Sequence, residues 1–277
     1  MTDTSRAADR AAGRAVGVVA EVWRFPVKSF QGEQVERVGF DAHAMDGDRR
    51  YAVRDQRDGK VWSAKRHGSL LDAWAVTDGG DVRIGLPTGA TFLASSPDAD
   101  AHLAEWLGGG VHLDRVSDDP TAANGVYEFA FDIDDDPDAE WFDIDTPAGS
   151  FADLAHVHVL TTASIAAAAG GHPDGEWDSR RFRPSVLIDT GDAAGFVEDE
   201  WLGRDLEIGS LVVHVDLPTI RCVMPTRPQP ALGAAPALVR DKQISRTIAD
   251  LHGFNLGAYT SIVTPGEVAV GDEVVVW

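Results

Sequence analysis

Short segments that favour β-strands recur along the chain roughly every ten residues, separated by turns rich in glycine, aspartate and proline. Asp58-Gly59 is a strong hairpin signal between the segments 51–54 and 60–64. Helical patterns are fewer: Ser96-Pro97-Asp98 is typical of a helix start, and residues 238–251 carry apolar side chains near helical period. This pattern predicts a predominantly β chain of the α+β class, with a barrel-like first half and a few short helices.

Length and charge restrict the possible functions further. The 277 residues are long enough for one large or two modest domains, and a 44% hydrophobic fraction is typical of a folded protein. A net charge of −21 disfavours nucleic acid and anionic membranes as partners. No apolar run approaches the ~20 residues of a membrane span.

Two segments lack a regular pattern. Residues 1–15 are polar and alanine-rich without the apolar centre of a secretory signal, so we predict a disordered tail on a cytoplasmic protein. Residues 118–148 are acidic, and we interpret them as a mobile connection between a first domain, 16–117, and a second, 149–277. The run Asp134–Asp136 within the connection is expected to be solvated rather than to hold a metal.

Cys222 is the only cysteine, which excludes an internal disulfide framework. It follows Arg221 and an apolar run, and the prolines at 218, 225 and 228 argue against a continuing helix or central strand. We therefore place Cys222 at the end of a strand, where a neighbouring cation favours a nucleophilic, metal-binding thiolate. The alternative is a buried cysteine that acts as a small hydrophobe.

Four short motifs, in this order, resemble those of the MOSC family, which is named after the C-terminal domain of molybdenum-cofactor sulfurase. Trp23-Arg24-Phe25-Pro26-Val27-Lys28-Ser29 resembles the opening of the β-barrel domain that precedes MOSC, and Asp48-Arg49-Arg50-Tyr51 resembles a strand entry of that domain. Arg181-Phe182-Arg183-Pro184-Ser185 resembles the entry of MOSC itself, and Ile220-Arg221-Cys222 resembles the segment with the metal-binding cysteine. The resemblance, which includes a final hairpin at residues 265–272, implies an N-terminal β-barrel domain packed on a β-barrel MOSC domain.

The resemblance also implies a molybdenum cofactor, Mo-molybdopterin, with Cys222 as the metal ligand and no requirement for pyridoxal phosphate. The pyrimidine-nucleotide form of the cofactor stays open. The cofactor-binding residues implied are Lys28, Ser29, Arg49, Thr161, Thr162, Ser164, Arg183 and Ser185. Arginine and lysine suit the phosphate of the pterin, and a helix that begins near Thr162 offers an anion site. Further pocket candidates are Arg66, His67 and Thr226.

Simpler roles remain open for several of these residues. The alternative role is plain helix capping for Thr162, a surface ion pair for Arg183, and a solvated strand end for Lys28. Position 185 is serine where the family often has asparagine. The chain shows no ferredoxin-like extension after Trp277, so electrons are expected from a separate flavin or iron–sulfur protein.

These observations lead to three hypotheses. The first is a molybdenum oxidoreductase that reduces small N-hydroxylated or related N-oxygenated compounds with external electrons. The second is a non-catalytic carrier that holds the cofactor, or a persulfide sulfur, for another protein. The third is a β-rich protein that has lost cofactor binding, which the joint presence of Lys28, Arg183 and Cys222 argues against.

Overall fold

The structure, a computed structural model, describes residues 13–119, 121–131, 136 and 138–277 of the chain. The strands of the first half are β1 Arg14–Arg24, β2 Glu33–Gln34, β3 Arg37–Phe40, β4 Tyr51–Asp55, β5 Trp74–Asp78, β6 Asp81–Gly85, β7 Thr91–Leu93, β8 Val111–Arg115, β9 Val126–Phe129 and β10 Phe142–Asp145. The strands of the second half are β11 Val157–Thr161, β12 Val186–Asp189, β13 Asp205–Ile208, β14 Leu211–Ile220, β15 Asn255–Thr264, β16 Gly266–Ala269 and β17 Glu273–Val276. The α-helices are α1 Ala99–Leu107, α2 Thr162–Gly171 and α3 Lys242–His252.

Seven strands form a closed barrel in the order β12, β11, β15, β14, β13, β17 and β1. The antiparallel pairing of β1 with β12 closes it, so these strands leave no free sheet edge. Strand β1, from the beginning of the chain, thus completes a barrel whose other strands come from the second half. This pairing brings the segment after β1 next to the segment before β12.

Alternation of side chains along the strands fills the barrel. Inward-facing residues at every second position are fully buried, and most are β-branched or leucine, which suits a pleated and packed surface. Examples are Val186 and Ile188 in β12, Leu206 and Ile208 in β13, Val213 and Val215 in β14, and Val274 and Val276 in β17.

The first half has a second core of its own. Strands β5, β6 and β7 form one sheet and β4 pairs with β8, while α1 packs beside β8. Phe30, Leu71, Ile84 and Leu103 are completely buried in this core. The pairing of β16 with β3 joins the two halves.

The predicted fold class is confirmed: the described residues are mostly strands, with three short α-helices and a closed barrel. The two expected irregular segments differ in part. Strand β1 begins at Arg14, so the last two residues of the expected tail are ordered, and residues 1–12 lie outside the described residues. The domain limits stay a prediction.

The acidic connection contains a hairpin that the sequence analysis missed. Strands β9 and β10 pair in antiparallel register, with Phe129 opposite Phe142 and Tyr127 opposite Ile144. Of the aspartate run, only Asp136 belongs to the described residues, and it has an interaction partner. The connection is therefore not irregular throughout.

Candidate functional site

A cavity of about 370 Å³ opens between the barrel and the first half of the chain. It lies at the place where β1 and β12 meet, and both halves contribute its walls. Six of the predicted site residues line it: Lys28, Ser29, Arg49, Arg183, Ser185 and Cys222. These residues are up to 194 positions apart, from 28 to 222, and the closure of the barrel brings them together.

Cys222 lies two residues beyond β14, at the floor of the cavity, and is only 5% exposed. A bulge in the β14–β15 pairing next to Pro218 lets β14 continue through a proline as far as Ile220. A short 3-10 turn, Met224–Thr226, follows and turns the chain away, and the Ser245 hydroxyl donates to the Cys222 carbonyl. The prediction that Cys222 follows the end of a strand is confirmed.

Arg49 and Arg183 lie over the same aromatic ring. Their guanidinium carbons are 4.6 and 4.0 Å from the Phe25 ring centroid, and Arg183 donates to the Phe30 carbonyl at 2.7 Å. Arg49 has a carboxylate partner, Asp48, at 2.6 Å. Arg183 forms no ion pair among the described residues, so it is not the surface ion pair considered above. An anion close to these two positive charges is stabilised by both of them.

Burial lowers the pKa of Arg183 from 12.5 to about 9. The positive charge of Arg49 contributes to this lower value, and the carboxylates of Asp48 and Asp153 only partly oppose it. The charged form of Arg183 is therefore destabilised in the protein without a bound anion.

The backbone is strained at the same residues. Among the described residues, four other than glycine have positive φ, and three of them line this cavity: Ser29 at 68°, Arg49 at 44° and Arg183 at 54°. Non-glycine residues adopt this conformation rarely, and such strain concentrates at functional sites. Residues that carry charged or hydroxyl side chains thus occupy positions where glycine would be less strained.

Lys28 lines the same cavity as these arginines and shares a carboxylate with Lys65. Asp153 accepts from Lys28 and, at 2.6 Å, from Lys65, and Lys28 also donates to the Phe151 carbonyl at 2.8 Å. Lys28 is only 4% exposed, so it is not a solvated strand end. Lys65 and Asp153 were not among the residues predicted from the sequence.

Asp153 does not stabilise the charged forms of the two buried lysines equally. Burial lowers the pKa of Lys28 from 10.5 to about 8, although Asp153 opposes this. Burial is also the largest single effect on Lys65, but there Asp153, Tyr127 and Cys222 together outweigh it and raise the pKa above its ordinary value. The pKa of Asp153 lies well below its usual range, because Lys28 and Lys65 together outweigh its burial.

Arg221 and His158 form a buried pair beside Cys222. Arg221 donates to Nε2 of His158 at 2.6 Å and to the carbonyls of Phe182 and Leu256. Since Nε2 accepts, the proton of the neutral ring is on Nδ1, which faces the Arg183 carbonyl at 3.4 Å. Burial and the charge of Arg221 hold the pKa of His158 well below its ordinary value, which agrees with a neutral ring.

Gly257 in β15 makes this pair possible. Its φ is +82°, and a Cβ there would lie 2.6 Å from Nε2 of His158. Any larger residue would therefore displace the ring that accepts from Arg221.

Ser29 and Ser185 present hydroxyl groups to the cavity. Ser29 Oγ accepts from the Ala64 N–H at 2.9 Å, and Ser185 Oγ accepts from the His158 N–H at 3.2 Å. Each hydroxyl keeps its hydrogen free to donate among the described residues. Both hydroxyls therefore suit an anionic or carbonyl oxygen.

The structure does not bring Thr161, Thr162 and Ser164 to the cavity. Thr161 caps α2 by accepting from the Ser164 N–H at 3.1 Å. The carboxylate of Glu198 lies against this helix start, where it accepts from the Thr161 N–H at 2.7 Å and from the Ser164 hydroxyl. A protein carboxylate thus occupies the position that the sequence analysis gave to the cofactor, and burial raises the pKa of Glu198.

The three further candidates also lie outside the cavity lining. Arg66 pairs with Glu128, and the His67 ring stacks on Trp62 with centroids 3.9 Å apart. The Thr226 hydroxyl donates to the Val223 carbonyl at 2.7 Å, within the turn that follows Cys222. Each therefore has a structural partner.

The outer wall of the cavity is apolar and comes largely from the β9–β10 hairpin. Tyr127, Phe129 and Phe131 lie at alternate positions on one face of the hairpin, and Phe142 and Ile144 of the partner strand lie beside them. The acidic residues between them point to the other face, where Lys60 pairs with Glu128 and Asp143. The sequence analysis missed this wall, although the alternation in Phe-Asp-Ile-Asp, 142–145, could have revealed a strand.

Within the described residues, no group of three or more His, Cys, Asp and Glu side chains is placed to hold a metal ion. No helix in that part of the chain is long and apolar enough to cross a membrane.

Comparison with known proteins gives two family matches. The model of the MOSC N-terminal beta barrel domain matches residues 16–116, and that of the MOSC domain matches residues 147–275. No curated protein matches the chain significantly.

Solved structures show only distant similarity. The YuaD protein from Bacillus subtilis is 11% identical over 95% of this chain and 94% of its own, with a TM-score of 0.44. A hypothetical protein is 10% identical over 95% of this chain and 68% of its own, with a TM-score of 0.41. YiiM from Geobacillus stearothermophilus is 14% identical over 44% of this chain and 54% of its own, with a TM-score of 0.33. Similarity at this level carries no information about the residues of the cavity.

Proposed function

The chain belongs to the MOSC-domain family, which is known for binding the molybdenum cofactor, and we propose that its cavity holds this cofactor for the reduction of N-hydroxylated or related N-oxygenated compounds. One observation above all supports the proposal. Arg49 and Arg183 are held on one ring with strained backbones, and Arg183 has no carboxylate partner among the described residues. A cofactor phosphate at this place would supply the missing negative charge.

The chemistry of the remaining residues fits the same group. Cys222 is a single thiol with no cluster of metal-binding side chains around it in the described residues. One thiolate does not hold a metal ion alone, but it completes the coordination of a metal that arrives with its own sulfur donors. The molybdenum cofactor brings two such sulfurs on its pterin, so Cys222 would be the protein's ligand.

The other residues would bind and orient the cofactor. Arg49 and Arg183 would form charge-assisted hydrogen bonds to phosphate oxygens, and Ser29 and Ser185 would donate their free hydroxyl hydrogens. Lys28 would lose much of the penalty of its burial once an anion lies near it. The positive charges of Lys65 and Arg221 act on Cys222, and they therefore favour an anionic complex there.

The proposed reaction breaks an N–O bond. Two electrons and two protons convert an N-hydroxyl group into N–H and release the oxygen as water. The bound cofactor supplies two-electron oxygen-atom chemistry at its metal. The electrons come from a separate flavin or iron–sulfur protein, which is the partner that we propose for this chain.

A carrier of cofactor or sulfur is the second candidate function. A carrier must hand its cargo to another protein, which requires an accessible thiol. Cys222 is 5% exposed and lies below the apolar wall of the cavity, an arrangement that favours retention. Complete transfer of the bound cofactor to a cofactor-free molybdoenzyme would reverse this preference.

The test is an activity assay on protein from a host that makes the cofactor. Dithionite-reduced methyl viologen replaces the unknown electron donor, and N-hydroxybenzamidine is the substrate. We expect benzamidine to form with wild type, and less than a hundredth of that rate with Cys222→Ser. If loaded wild-type protein reduces neither this compound nor an N-oxide, the proposed reaction is wrong.

A further inference from the structure

The exposed mouth of the cavity is apolar in a chain whose net charge is −21. Phe131 is 60% exposed, Leu154 53%, Phe142 43% and Ile220 42%. All four line the same cavity as the buried cationic residues described above. Large apolar side chains that gather around one opening, rather than scatter singly, mark a binding surface.

These side chains lie close in sequence to the polar floor. Ile220 is two residues before Cys222, and Leu154 directly follows Asp153, the shared partner of Lys28 and Lys65. The apolar mouth is therefore continuous with the floor, and a molecule whose reacting group reaches Cys222 must place the rest of itself against the mouth.

The β9–β10 hairpin forms a firm aromatic part of this mouth. Phe129 and Phe131 meet edge to face with centroids 4.8 Å apart, and Phe142 lies opposite Phe129 in the strand pairing. Such an arrangement offers ring faces and edges to a flat apolar group.

We propose that the mouth selects substrates by the part of the molecule that does not react. Phe131, Phe142, Leu154 and Ile220 bind this uncharged, apolar part while the N–O group lies near Cys222. This inference rests on the proposed function and names the class of substrate, namely aryl or alkyl N-hydroxylated compounds without a charged substituent. Substrates with a charged substituent are disfavoured because none of these four side chains can pair with the charge. The net charge of the protein repels anions, and Lys65 and Arg221 repel cations at the floor.

The experiment compares two substrates that share a reacting group, N-hydroxybenzamidine and N-hydroxyacetamidine. We expect wild type to prefer the aromatic compound by about a hundredfold in kcat/KM, since a phenyl group in place of a methyl group adds several buried carbons. Phe142→Ser and Leu154→Ser should each reduce this preference about tenfold, mainly through a higher KM for the aromatic compound. N-Hydroxyacetamidine should change less than twofold.

Leu251→Ser is the matched control. Leu251 is 49% exposed, as Leu154 is 53%, but it lies in α3 and outside the cavity lining. Its preference should equal that of wild type. An unchanged preference in both mouth variants would overturn the proposal, even with full activity. The proposal would also be overturned if adding a 4-carboxylate to N-hydroxybenzamidine changed kcat/KM by less than twofold.

A binding assay separates failure of this inference from failure of the proposed reaction. The neutral apolar dye Nile red needs no catalysis, and we expect saturable fluorescence with one site per chain in cofactor-loaded protein. Phe142→Ser should weaken it at least fivefold, while Leu251→Ser should not. If the mouth instead binds a redox protein, Phe142→Ser and Leu154→Ser would lose turnover only when that protein supplies the electrons. They would keep both dye binding and the substrate preference, and this result would overturn the proposal.

Discussion

Replacing Arg183 by methionine should raise the free energy of unfolding of the protein that lacks the cofactor, and it should weaken binding of the cofactor. The pKa of Arg183 falls from 12.5 to about 9, which corresponds to a cost of about 5 kcal/mol for holding the charged form in the folded chain at neutral pH. Methionine has a similar length and no charge, so it removes this cost. It also removes the hydrogen bond to Phe30 and the contact with Phe25, together worth about 3 kcal/mol.

The net expectation is a free energy of unfolding about 2 kcal/mol higher for Arg183→Met than for wild type, in protein from a host that cannot make the cofactor. Urea unfolding at pH 7.5, followed by tryptophan fluorescence, measures it. Arg24→Met is the matched control, because Arg24 is paired with Glu33 at 2.8 Å and lies outside the cavity. That variant should lose about 1–2 kcal/mol by leaving Glu33 without its partner.

The pH dependence adds a second check. In the folded chain the pKa of Arg183 is below its unfolded value, so the unfolded chain binds more protons between pH 9 and 12.5. Wild-type stability from this group therefore rises with pH in that range, and the advantage of Arg183→Met shrinks above about pH 9. If Arg183→Met destabilises the cofactor-free protein as Arg24→Met does, the reasoning about an uncompensated charge is wrong.

Three further outcomes follow from the site. Sulfate binding should return the pKa of Lys28 from about 8 toward 10.5, with uptake of about 0.1 proton at pH 7 and about 0.5 at pH 8 in calorimetry with two buffers of different ionisation enthalpy; equal uptake at both pH values would contradict this. Asp153→Asn should cost about 3 kcal/mol in urea unfolding because it leaves the ammonium groups of Lys28 and Lys65 without a carboxylate. Asp143→Asn, at an exposed pair, should cost less than about 1 kcal/mol, and equal losses would show that burial of the first pair matters little. Thr161→Ala should cost about 1 kcal/mol through the lost helix cap and leave molybdenum content unchanged, whereas loss of the metal would return this residue to the cofactor site.

The sequence predicted the parts of the fold that depend on local pattern. Strand alternation and turn residues identified the β character, and the strand before Cys222 ends where its apolar run ends. Helix α3 begins at Lys242, later than the predicted 238, because the Asp241 side chain caps it by accepting from the Gln243 N–H. The closure of the barrel by β1 depends on contacts far apart in sequence, which local patterns do not contain.

The candidate site divides in the same way. Residues within recognisable motifs, such as Lys28, Arg183 and Cys222, lie together as expected. Asp153 follows no motif, and its importance comes from two lysines that reach it from positions 28 and 65. The helix start at Thr161 has the right residues for an anion site, but Glu198 arrives from elsewhere in the chain and occupies it.

The measurement that tests the central claim most directly is molybdenum per chain, by mass spectrometry, in wild type and Cys222→Ser from a host that makes the cofactor. We predict close to one molybdenum and one pterin per chain in wild type, and loss of the metal in the serine variant, because serine does not provide a soft thiolate ligand. Arg183→Met should lose metal and pterin together, since it acts on the phosphate. Wild type without metal and pterin, or equal metal in wild type and Cys222→Ser, would contradict the proposed site.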